Sequence, residues 1–148
     1  MFTDIVGSTE LASRLGDHRW RLLLEEHNEV VRSTLARFGG KEIDTAGDGF
    51  LISFDGPARA IRAAAAVRAG LAEQGIRIRV GLHTGECELV DGKIRGIAVH
   101  VAARVMAHAE GNEILCSRTV KDLVAGSGFV FTDRGIHQLK GVPDDWQL

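Results

Sequence analysis

The chain reads as an α+β fold, a mixed or antiparallel sheet with helices packed on one face. Three observations predict it. Segments 17–38 and 57–73 carry apolar residues at helical spacing. Shorter segments alternate apolar and polar residues at period two, bounded by glycine-rich turns. Helical and strand-like segments alternate along the chain, which suits a layered sandwich.

The elements follow in order. A first strand ends near Ile5 or Val6. Gly7-Ser8-Thr9 starts a helix and Gly16 breaks it. Asp17 is placed to cap a longer helix through Trp20, Leu23, Leu24, Val30, Val31 and Leu35, which Phe38-Gly39-Gly40 stops. Residues 41–46 and 49–54 are strands around the turn Gly47-Asp48-Gly49. Pro57 opens an alanine-rich helix to about Glu73. Residues 77–88 alternate like a strand, with Ile78, Val80 and Leu82 on one face. Leu89-Val90 and Ile94 flank a turn at Asp91-Gly92. Residues 96–109 are helical and rich in small side chains. A short strand over 113–116, a short helix over 117–125 and a closing hairpin over 129–139 complete the chain.

Composition narrows the function. The 148 residues suit one domain over 1–148, and 45% hydrophobic content supports a real core. A net charge of −2 supplies no basic stripe, so nucleic acid is not an expected partner. No apolar run approaches a membrane span and no signal peptide is visible. Cys87 and Cys116 have neither disulfide-framework nor zinc-finger spacing; they read as reduced core residues of a cytoplasmic domain. Met1-Phe2-Thr3-Asp4 reads as the tail of a strand whose beginning is missing, so the expectation is one domain of a longer protein.

Chemistry concentrates in a few positions. Asp4 lies where the first strand enters a helix, and Asp48 lies at a glycine-flanked hairpin tip. If strand and hairpin are neighbours, the carboxylates meet at one sheet edge. Two carboxylates with few other ligands suit magnesium, which takes its remaining shell from water and phosphate. A turn aspartate and a helix-start carboxylate are the alternative readings. Gly7, Ser8 and Thr9 open a helix directly after Asp4, where free amides favour phosphate; an ordinary Ser/Thr cap is the alternative. His100 and Arg104 share one face of a helix that is otherwise small or apolar. Arg104 is suited to grip phosphate, or to pair within the fold. His100 also reads as a surface or core histidine, and Lys140 as a phosphate contact or a hairpin lysine. Asp44 and Lys93 precede Gly47 and Gly96 by three residues each. Their opposite charges either pair with each other or read a purine edge in guanine's pattern.

Four blocks carry a resemblance: Phe2-Thr3-Asp4-Ile5-Val6-Gly7-Ser8-Thr9, Thr45-Ala46-Gly47-Asp48-Gly49, Arg79-Val80-Gly81-Leu82-His83-Thr84-Gly85, and the run from Gly96 to Arg104. In order and spacing they resemble the class III adenylyl and guanylyl cyclase catalytic domain. The stretches 54–60 and 137–143 are similar to bacterial, especially actinobacterial, members.

The resemblance implies a ferredoxin-like βαββαβ core and a head-to-tail homodimer with two active sites at its interface. It implies two Mg²⁺ or Mn²⁺ ions per site on Asp4, Asp48 and the Ile5 backbone carbonyl. It places the triphosphate against Gly7, Ser8, Thr9 and Lys140, and gives Arg104 and His100 catalytic roles. Arg104 and Lys140 would come from the opposite subunit. Asp44 and Lys93 fall at the purine-reading positions with their charges swapped relative to adenylyl cyclases. His100 stands where an asparagine is usual. The implied reaction is ATP to cyclic AMP and pyrophosphate. GTP as substrate, a nucleotide-binding regulatory domain without turnover, and a dimerising partner-interaction domain are the alternatives.

Overall fold

The computed structural model describes residues 1–148. Its centre is a five-stranded sheet of β1 (Phe2–Ile5), β2 (Lys41–Ala46), β3 (Gly49–Ser53), β4 (Ile78–Leu82) and β7 (Ile114–Cys116), in the order β2-β3-β1-β4-β7. β1 pairs antiparallel with both β3 and β4, and β7 adds parallel to β4. The first four strands, with α1 (Ser8–Leu15), α2 (Asp17–Phe38) and α3 (Pro57–Glu73) between them, form the ferredoxin-like βαββαβ unit. Two two-stranded ribbons lie outside the sheet: β5 (Glu88–Val90) with β6 (Lys93–Arg95), and β8 (Ile136–Gln138) with β9 (Asp145–Gln147).

Strand alternation decides which face each helix covers. Ile5, Phe50, Ile52, Ile78, Val80 and Leu82 point to one side, where they bury against Val31, Leu35, Val67 and Leu71 of α2 and α3. α4 (Ile97–His108) lies on the other side. A methyl group on Gly81 would stand 2.3 Å from the Met106 nitrogen and 2.6 Å from the Ala102 carbonyl, so α4 rests on the bare backbone of β4. Val101, Val105 and Ala109 form a second core there with Leu115, Leu139 and Leu148. The helices therefore cover both faces of the sheet, not one. Leu115 points opposite to its neighbours Ile114 and Cys116, and so anchors the second layer.

Several local expectations need correction. Asp17 is the first residue of α2, not its cap. Gly16 holds the cap position and no side chain bonds there. The strand at 77–88 ends at Leu82, where Ser117 donates its N–H to the Leu82 carbonyl and the chain turns away. The closing hairpin is displaced: residues 129–135 form no strand, and β8 pairs with β9 across a turn bearing Gly141 and Asp144 at φ 78° and 68°. Gly135 at φ 84°, its N–H bonded to the Asp133 carboxylate, breaks the extended run before β8. Cys87 is an exposed thiol rather than a core residue, whereas burial pushes the Cys116 thiol up to about 11.

Candidate active site

β1 and the β2–β3 hairpin bring the acidic pair together. The hairpin closes in two residues, with Gly47 at φ 61°. This tight tip leaves the Asp48 side chain free to reach β1, where its Oδ2 accepts the Ile5 N–H at 2.8 Å. Asp4 precedes Ile5 and points to the opposite sheet face from the core. Both its oxygens are gripped by Arg79 of β4, with Nε at 2.7 Å from Oδ1 and a terminal nitrogen at 2.8 Å from Oδ2. That bidentate fork raises the Arg79 guanidinium above its already high range, and Asp48 contributes through space. Arg79 thus feels both carboxylates.

The sequence alone assigns Arg79 no role. The available signal was its place between Ile78 and Val80 in an alternating strand, which aims it away from the core. His27 of α2 is likewise not singled out by the sequence. It is fully buried against Phe50, and desolvation lowers its pKa; its Nδ1 lies 3.1 Å from the Asn28 side-chain oxygen, while Nε2 has no partner.

Directly after β1, Gly7 takes a left-handed conformation at φ 67° and lets the chain enter α1 without a strained side chain. No side chain caps this helix, so the amides of Ser8 and Thr9 stay available one step from Asp4. The Ser/Thr cap weighed from sequence is not made.

The cationic half lies elsewhere on the chain. α4 carries Arg104 to the surface, where its Nε donates to the Lys140 carbonyl at 3.0 Å. This bond ties α4 to the loop after β8, the loop that carries Lys140. Neither cation pairs with a carboxylate of its own chain. The intramolecular ion pair considered for Arg104 is therefore absent. His100 is exposed one turn before Arg104.

Asp44 and Lys93 are brought near each other but not joined. A β-bulge between Glu42 and Asp44 shifts the register, so that Glu42 faces Ile52 and Asp44 faces Leu51. Glu42 consequently turns to the helix side. There Arg32 holds it with two hydrogen bonds of 2.8 and 2.9 Å and Thr45 adds a third, which pull its pKa down to about 2. Asp44 turns to the face that Asp4 shares. β6, which carries Lys93, packs beside β2. Asp44 nonetheless accepts the N–H of Thr45 and forms no salt bridge to Lys93.

A ferredoxin-like sheet extended by one parallel strand, with an acidic pair where strand end and hairpin tip meet, defines a class of nucleotide-handling domain: the nucleotidyl cyclases. The family model described as the adenylate and guanylate cyclase catalytic domain matches residues 1–147, and the chain belongs to this family. Its relatives include a putative adenylate cyclase of Rhizobium meliloti, 28% identical over 94% of this chain and 25% of that protein. An uncharacterized protein of Mycobacterium tuberculosis is 38% identical over 69% of this chain and 37% of its own length. The chain thus spans well under half the length of either. Among solved structures, the adenylyl cyclase CyaB of P. aeruginosa superposes with a TM-score of 0.86 at 25% identity, covering 99% of this chain and 88% of that one. An adenylate/guanylate cyclase/hydrolase of Silicibacter pomeroyi gives 0.82 at 28%, over 98% and 89%. No helix of the chain is long and apolar enough to cross a membrane.

The family's divalent cations can be tested against these residues. Asp4 and Asp48 offer hard oxygen donors, and a guanidinium already sits on Asp4 as a surrogate cation. No trio of His, Cys, Asp or Glu assembles into a metal-binding group. A cation here must therefore complete its shell with water and phosphate, which is how magnesium binds beside substrate phosphates. The donor set fits, provided Arg79 releases Asp4.

Proposed function

We propose that this domain converts ATP to 3′,5′-cyclic AMP and pyrophosphate at sites shared between two copies of the chain. The carrying observation is the separation of charge. Asp4 and Asp48 converge at one place, while Arg104 is bonded to the Lys140 backbone at another, and neither cationic side chain pairs with a carboxylate. A head-to-tail dimer supplies each site with both halves.

Asp4, Asp48 and the Ile5 carbonyl would hold hard divalent cations, Mg²⁺ or Mn²⁺, which would supply acidification of the ribose 3′-hydroxyl and neutralisation of the triphosphate. The chain's own groups do the rest. The amides of Gly7, Ser8 and Thr9 receive phosphate oxygens at the start of α1. Arg79, displaced from Asp4, turns its fork to the same anion. Lys140 holds the triphosphate. Arg104 aims at the α-phosphate, where negative charge grows as the 3′-oxygen bonds to phosphorus and the bond to the bridging oxygen breaks. The hydroxyl proton passes to solvent water, and pyrophosphate departs with the electron pair of the broken bond. His100 donates to the ribose oxygen or a phosphate.

Relatives named adenylate cyclases support ATP. One observation favours GTP as a second reading. The bulged strand aims Asp44 at the shared face without a cation on it, and a free carboxylate accepts from guanine's N–H groups. The test is a product assay with ATP and GTP in parallel, under Mg²⁺ and Mn²⁺. Cyclic product from either nucleotide, lost in Asp48→Ala with the fold intact by circular dichroism, is expected. Nucleotide binding without product under any metal would leave a regulatory domain instead.

A further inference from the structure

A second set of donors lies away from the carboxylates. His108 ends α4 and His137 lies on β8, with ring centroids 4.9 Å apart and planes inclined at 62°. His108 is exposed and has no hydrogen-bond partner among the side chains. His137 is half-buried, and its Nε2 lies 2.8 Å from the Arg134 carbonyl. A carbonyl oxygen only accepts, so Nε2 carries the proton and Nδ1 of the neutral ring keeps a lone pair. An imidazole whose second nitrogen donates to a backbone carbonyl is oriented and made more basic, which is how metal-binding histidines are held.

The rings meet edge to face, and the separation of their centres matches that of two imidazoles on one ion. With Zn–N bonds of about 2.1 Å and a tetrahedral or square angle between them, two ring centres bound to one ion stand roughly 4.5–5.5 Å apart. Nitrogen donors select borderline ions such as Zn²⁺ or Cu²⁺ over magnesium, which prefers oxygen. We propose that His108 and His137 form a two-imidazole site for one such transition-metal ion, distinct in place and chemistry from Asp4 and Asp48. The ion would staple the end of α4 to β8. Arg104 lies one turn before His108, and Lys140 lies three residues after His137, its backbone carbonyl already bonded to Arg104. The site is therefore a second rung beside the bond from Arg104 to the Lys140 backbone. Occupancy does not depend on the nucleotide reading.

The test uses the full chain carrying Cys87→Ser, which removes the exposed thiol as a competing ligand, with excess Mg²⁺ to occupy carboxylates. Cu²⁺ is titrated and followed by electron paramagnetic resonance. One ion per chain with hyperfine structure from two imidazole nitrogens is expected. His108→Gln and His137→Gln should each remove one nitrogen and weaken binding by about tenfold or more, while His18→Gln, at another exposed histidine, leaves the spectrum unchanged. Full affinity and two nitrogens in both variants would overturn the proposal, as would loss of the signal in His18→Gln. Unchanged circular dichroism confirms that the variants fold.

Discussion

Arg79 and Asp4 show how one contact links stability to cation binding. The guanidinium occupies both oxygens that a divalent ion would use, so the two cations compete. Removing Arg79 leaves Asp4 and Asp48 without the guanidinium that neutralises them. Arg79→Ala should unfold at a lower temperature than the wild type in metal-free buffer. It should gain more than the wild type when Mn²⁺ is added without nucleotide, because stabilisation follows the ion's affinity for the folded state. Thermal melts with and without Mn²⁺ check this. If Mn²⁺ shifts neither protein, the carboxylates do not hold cations by themselves. Glu42 gives a pH-dependent case. Its pKa falls from the usual 4.5 to about 2 because Arg32 and then Thr45 bond to the carboxylate. A depressed folded-state value means the stabilisation is present above pH 4.5 and lost as pH falls through 2. Half of the Arg32 side chain is exposed, so the contribution is below about 1 kcal/mol. Urea titrations of wild type and Glu42→Gln should differ at pH 6 and converge toward pH 2.

At the level of elements, α4 depends on β4 lacking a side chain at Gly81. A Cβ there meets the Met106 nitrogen and the Ala102 carbonyl, which belong to helix backbone and do not yield as a flexible side chain would. Gly81→Ala should therefore cost about 3 kcal/mol in urea unfolding, at the upper end of overpacking penalties. It should also tilt α4 and separate Arg104 from Lys140, lowering activity in the folded fraction. An alanine variant of unchanged stability would show that α4 does not rest on the strand. Legibility in the sequence divides along the same line. The helices of 17–38 and 57–73 and the hairpin around Asp48 are readable because periodicity and turn glycines are local signals. That α4 covers the second face is not, since it follows from a tertiary contact at one glycine. The bulge that sends Glu42 and Asp44 to opposite faces is equally hidden, because plain alternation puts both on the same one. The stretch 129–135 looks like a strand, with Phe129, Val130 and Phe131 together, yet Val130 is 96% exposed and no partner edge accepts it. Asp4 and Asp48 could be singled out, but the Arg79 fork that neutralises Asp4 depends on the β1–β4 register.

For the whole molecule, the division of the site makes a prediction that no single-chain mechanism shares. In the proposed head-to-tail pair, one subunit lends Asp4 and Asp48 and the other lends Arg104 and Lys140. Arg104→Ala alone should lower turnover by about 10²-fold or more, the scale for removing one donor aimed at transition-state charge. Asp48→Ala alone should abolish it. Each heterodimer of the two variants assembles one site with both defects and one with neither. Equal mixing with free exchange makes half of the dimers mixed, so the activity should recover to about a quarter of the wild-type value. Cyclic product measured against mixing ratio should rise from near zero at either end to a maximum at equal amounts. Exchange is followed independently by labelling the two chains with a donor and an acceptor fluorophore. A flat, inactive profile while energy transfer reports mixed dimers would mean that Arg104 and Asp48 serve the same chain. The carboxylate-free cations on α4 and the β8 loop would then need a different partner.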